Sequence, residues 1–193
     1  MEENFDALEV IARTRGKVEM DERPIRNGIF LYWGWPTAVC FALMFALWQW
    51  LHQGWCLFVW TGIPLVGVPL TIRAFRKDRE KTHIRTHAAK MVVDYWIFVG
   101  AFCLFGGFMF GFTALGFVCY YPLIGLLVGL GAFITGEVLR FKPMVVGGVL
   151  GAVIGIGAFM FQGDLSGMQI LAVAIVALLS LVIPGHLYIK NGI

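Results

Sequence analysis

All fifteen Lys and Arg residues of this 193-residue chain emerge on one side of a membrane once its apolar runs are threaded across it. Five lie in residues 1–27, seven in 73–90, two in 140–142 and one at position 190, and the loops between the other helix ends hold none. Between these basic stretches the sequence is apolar near 28–51, 55–72, 91–111, 117–139, 143–161 and 168–188. A run of roughly 18 or more apolar residues is long enough to cross the hydrocarbon core as a helix. Lipid offers no hydrogen bonds, so such a segment must satisfy its backbone internally. The pattern therefore predicts an all-α, polytopic membrane protein with six transmembrane helices in three hairpins. Short loops rich in Lys and Arg stay on the cytoplasmic side, so an N-in, C-in topology is expected. The aromatic residues agree with that layout. Tyr32, Trp33, Trp35, Tyr95 and Trp96 fall at the basic ends, and Trp48, Trp50, Trp55, Tyr120 and Tyr121 at the opposite ends, where amphipathic rings settle at the bilayer interface.

Composition removes several alternatives. Hydrophobic residues make up 59% and charged residues 14% of the chain, against about 45–50% and about 25% in soluble domains. The formal charge of +3 comes from loops, and the aromatics are not interleaved with the bases, so no nucleic-acid surface is expected. Cys40, Cys56, Cys103 and Cys119 stand singly in apolar runs, with no C-x-x-C pair, and read as small buried hydrophobes. The opening Met1-Glu2-Glu3-Asn4-Phe5-Asp6 lacks the basic and apolar regions of a cleavable signal, so the first span is expected to direct insertion.

Two regions follow. Residues 1–27 form a polar segment in which Phe5, Leu8, Ile11 and Ala12 recur at helical spacing, with acids early and Arg13, Arg15 and Lys17 late. That order suits the helix dipole, Gly16 is a natural stop, and Pro24 breaks the chain before the membrane. Residues 28–190 form the membrane domain.

Small residues mark the helix contacts. Gly147, Gly151 and Gly155 repeat every four residues in the fifth span, as do Gly125 and Gly129 in the fourth. Such spacing lets helix backbones approach closely where lipid supplies no hydrophobic drive. It predicts a central fifth helix, packed within the chain or, by the same motif, against a second copy. Pro36, Pro64, Pro69, Pro122 and Pro184 fall within spans and are sites for kinks.

Ionisable groups within spans are few. Asp94, Glu137 and His186 lie within about one turn of the basic boundary. With Arg140 they form a candidate polar cluster open to the cytoplasm; the plainer alternative is a set of snorkelling or paired charges that anchor helix ends. His83 and His87 share a helix face at metal-pair spacing, but Asp94 is seven residues further on, about 10 Å along the axis, and cannot complete that site. Solvated loop histidines are the plainer reading. No zincin motif, nucleophile elbow, P-loop or haem-attachment motif is present, and no nucleophile–base pair is evident, so no cofactor, metal or catalytic residue is assigned.

Three stretches resemble a family of small bacterial inner-membrane proteins with no assigned activity. They are Tyr32-Trp33-Gly34-Trp35; Tyr121-Pro122-Leu123 through Gly129-Leu130-Gly131-Ala132-Phe133 to Phe141-Lys142-Pro143 and Gly147-Gly148; and Ile183-Pro184-Gly185-His186-Leu187. The resemblance implies a six-helix inner-membrane protein and no defined chemistry. The hairpin layout and glycine content are also similar to the acid-resistance six-helix membrane family. Two functional classes are expected. The first is a non-enzymatic membrane protein acting by association, with itself or with a partner that meets residues 1–27 and 73–90. The second is a small-solute or ion transporter or channel using the cytoplasm-facing cluster.

Overall fold

The computed structural model describes residues 28–51, 54–77, 87–111, 119–162 and 167–190. The amphipathic segment 1–27, the middle of the basic stretch with His83, and the loop with Asp164 lie outside the described residues. Among the described residues every element is helical. Helix α1 is Ile29–Leu51. A 3₁₀ segment, Gly54–Thr61, runs into α2, Gly62–Lys77. Then come α3, His87–Gly111, and α4, Tyr120–Val138. Helix α5, Lys142–Gly157, ends in a 3₁₀ turn, Ala158–Met160. Helix α6, Gly167–Lys190, carries a π turn at Leu178–Val182 between two α segments. Five of these helices are long and apolar enough to cross a membrane.

The second apolar segment departs from expectation. Its apolar helix, Phe58–Ala74, is shorter than the other five. Pro64 removes a backbone donor in the first turn of α2 and Pro69 another inside it, and the chain before them winds into the tighter 3₁₀ form. The Thr61 hydroxyl donates to the Phe58 carbonyl at 2.7 Å there. The third helix starts four residues earlier than the apolar run, because the intervening Ala88, Ala89 and Lys90 are good helix formers.

Neighbouring helices run antiparallel. Trp33 at the start of α1 donates its indole N–H to Thr71 near the end of α2 at 3.0 Å. Helices α4 and α5 make the most extensive contact in the molecule, and α1 packs along α6. The apolar core lies where α1, α4 and α6 meet, around Phe41, Met44, Tyr121, Ile124, Val173 and Val176. Burying such side chains against one another fills space at interior density.

The fifth helix is not the centre. About a third of its span is buried, against 56% for α4 and 61% for α6. It offers glycines on two sides and leaves Val146, Val149, Leu150, Val153 and Ile156 exposed. Helices α4 and α6 hold the middle because each has neighbours on three sides.

Among the described residues helix α3 packs chiefly against α4, through aromatic side chains carrying polar tips. The Tyr95 hydroxyl donates to the Leu127 carbonyl at 2.7 Å, and the Trp96 indole N–H to the Thr135 hydroxyl at 3.1 Å. The rings close over Gly131, where a side chain would collide with them. The Tyr120 hydroxyl donates back to the Cys103 carbonyl at 2.5 Å, fixing the other end. Ring burial supplies apolar contact, and the polar tip satisfies itself on backbone that water does not reach.

Candidate functional site

The helix order brings the starts of α1, α3 and α5 and the ends of α2, α4 and α6 to one end of the bundle. Ring contacts and side-chain packing tie that end together. Phe141 meets Tyr188 edge to face at 5.2 Å, and Trp35 meets His186 in the same way at 6.0 Å. All Lys and Arg among the described residues lie at this end: Arg73, Arg76, Lys77, Lys90, Arg140, Lys142 and Lys190.

The four residues of the candidate cluster are each exposed there. Asp94 is in the second turn of α3 and Glu137 in the last turn of α4. Arg140 is in the three-residue turn to α5, and His186 is in the final segment of α6. Nδ1 of His186 lies 2.9 Å from the Val182 carbonyl one turn back. No ion pair or hydrogen bond joins Asp94, Glu137, Arg140 or His186 to another of the four. His87, in the first turn of α3, is exposed. Among the described residues no three His, Cys, Asp or Glu side chains come together as a metal site.

The turn holding Arg140 has a defined local cause. The Arg140 N–H bonds the Glu137 carbonyl at 3.1 Å, and the Phe141 N–H bonds the Gly136 carbonyl at 2.9 Å. This is the paired bonding of a Schellman ending, which places its pivotal residue in the left-handed region. That residue is Arg140, with φ of 53°. Phe141, carried inward, is buried, and Pro143 opens α5 where a missing N–H costs nothing.

The five candidate packing glycines occupy two seams of α5. On one side Gly125 faces Gly155, and a Cβ added to Gly125 would sit 3.2 Å from the Gly155 Cα. Gly129 faces Gly151 and Ala152, and a Cβ there would collide with the Ala152 N–H and fall 2.7 Å from the Gly151 carbonyl carbon and 2.8 Å from the Ala152 Cα. On the second side Gly147 and Gly151 face α6 at the π turn, against the Leu179 carbonyl and the Ser180 hydroxyl. The Ser180 hydroxyl donates to the Gly147 carbonyl at 2.9 Å. All five glycines are buried within the single chain.

Three buried polar side chains lie outside the set expected from sequence: Thr135, Gln169 and Ser180. Thr135 bonds the Gly131 carbonyl at 2.6 Å and accepts from Trp96. Gln169 donates to the Phe161 carbonyl at 2.5 Å, closing the turn between α5 and α6. The sequence signal for each is a hydroxyl or amide inside an apolar run, a weaker mark than a formal charge. Each is satisfied by protein, as a polar group away from water must be.

Comparison with protein-family models, with curated proteins and with solved structures returns no match.

Proposed function

We propose that the chain is a six-helix protein of the bacterial inner membrane, with both termini in the cytoplasm, that acts without catalysis by associating with itself or with a partner protein. The observation that carries this reading is the closed interior. The buried polar side chains among the described residues are Thr135, Gln169 and Ser180, and each holds one helix element to another or to its own backbone. No charged side chain is buried among them. Among the described residues the charge sits toward one end, where residues 1–27 and 73–90 would join it as a contact surface.

Association and conduction are separable by experiment. A photo-crosslinking residue placed at Arg76 or Lys90 in cells should give discrete adducts. The purified chain in proteoliposomes should give no saturable flux of protons or small ions. Flux that scales with protein and is lost in Glu137→Gln, without adducts, would overturn the proposal.

A small-solute or ion transporter is the second reading, and the π turn favours it. A turn of non-α geometry next to Pro184, with a buried hydroxyl, is the kind of helix interruption from which transport sites are built.

A further inference from the structure

Between α5 and α6, toward the basic end, the outer surface holds a groove of about 430 Å³. Its lining is apolar apart from Lys142. One wall is α5 from Lys142 to Leu150, nine residues whose eight steps rise about 12 Å. That is close to one leaflet's share of a hydrocarbon core about 30 Å thick. The other wall is Leu179, Ile183 and Leu187 of α6.

The groove has a backbone cause. The Ser180 hydroxyl pins α6 to α5 at Gly147. Gly147 supplies no side chain to fill the floor, and the Pro184 ring stands over that floor. The rims stay apart: Val146, Leu150 and Ile183 are 58%, 48% and 49% exposed.

Among the described residues the Lys, Arg, Asp and Glu side chains all fall toward one end. Lys142, the first residue of α5, stands at the mouth, exposed and with no carboxylate partner among the described residues. Lys190 follows Leu187 by three residues, so it continues the α6 wall by one turn. Arg140 precedes Lys142 in the turn. An apolar slot one leaflet deep with ammonium groups at its interfacial end matches a molecule with a long hydrocarbon tail and an anionic head. Basic pockets between membrane helices recognise anionic headgroups in this way.

We propose that this groove is a binding site for an anionic phospholipid, with one acyl chain lying between α5 and α6 and the phosphate held by Lys142 and Lys190. The proposal rests on the membrane reading above. The two are separable: release of the chain from membranes by alkaline carbonate would sink both, whereas a carbonate-resistant chain with no lipid preference would sink this site alone.

The test is native mass spectrometry of the full chain in neutral detergent. Phosphatidylglycerol, phosphatidylcholine and inorganic phosphate are the added probes. One phosphatidylglycerol should be retained in preference to phosphatidylcholine, and phosphate alone should neither bind nor compete. Lys142→Ala should weaken retention about fivefold, the size expected for one basic residue at a lipid surface. Val146→Trp should block the acyl chain while leaving both lysines in place. Both positions are exposed or half-exposed, so melting temperatures in the absence of lipid should stay at the wild-type value and show that the variants fold. Lys90→Ala, on α3, should leave retention unchanged. Equal retention of the two lipids, unchanged retention in Lys142→Ala and Val146→Trp, or an equal loss in Lys90→Ala would overturn the site.

Discussion

Arg140 occupies a backbone conformation that costs an L residue roughly 1–2 kcal/mol and costs glycine almost nothing. Its side chain is exposed and has no ion-pair partner among the described residues, so none of them repays that cost. Arg140→Gly should therefore raise the stability of the bundle in detergent by about 1 kcal/mol, read as a higher melting temperature. A lower melting temperature would mean that the guanidinium makes a stabilising contact after all. The tight turn itself was legible in Arg140-Phe141-Lys142-Pro143, because polar residues interrupt two apolar runs and Pro143 suits a helix start. The left-handed residue was not, since the usual signal is glycine and here an arginine stands in that place. That Asp94, Glu137 and His186 lie near helix ends was legible as well. Their orientations were not, because a helix end shared by many neighbours leaves side-chain direction to packing.

At the scale of elements, the contact between α4 and α5 is set by what is missing from it. A Cβ at Gly129 would meet the backbone of Gly151 and Ala152, which no rotamer change relieves. A Cβ at Gly100, in α3, would meet nothing within 4 Å. Gly129→Ala should lower stability by about 1–3 kcal/mol, as overpacking does. Gly100→Ala should leave it unchanged or raise it by up to about 1 kcal/mol, because alanine favours the helix. Thermal unfolding of the two variants in the same detergent decides the matter, and equal effects would refute the seam. Glycines at four-residue spacing revealed that α4 and α5 pack closely, but such a stripe does not name its partner. A glycine stripe along the fifth span suggested a central α5, whereas the exposed valines beside it leave it at the side. The 3₁₀ start of the second segment followed from Pro64 and Pro69, yet each proline alone reads equally well as a kink within a longer helix.

For the molecule as a whole, the grouping of bases at one end is the feature from which the proposed orientation is read. A periplasm-active reporter fused after Gln162 should be active, and one fused after Lys190 inactive. The reverse result would overturn the N-in, C-in topology. This arrangement was legible because it depends on counting loops rather than on contacts, and helix order alone brings the basic loops together. Which helices touch was beyond such counting. The edge position of α3, stapled to α4 through Tyr95, Trp96 and Tyr120, depends on three aromatic tips reaching particular backbone and hydroxyl oxygens.

The π turn at Leu178–Val182 also sets the helical phase of everything after it. A π turn carries one residue more than the α turn it replaces. Without that residue, Ile183–Lys190 would rotate by about 100° about the axis of α6. Tyr188 would leave Phe141, and Gly185 would no longer face Phe30 and Leu31 of α1. Both halves of α6 thus meet their neighbours on the correct side through a single inserted residue, so a change of length here would shift the phase of all that follows.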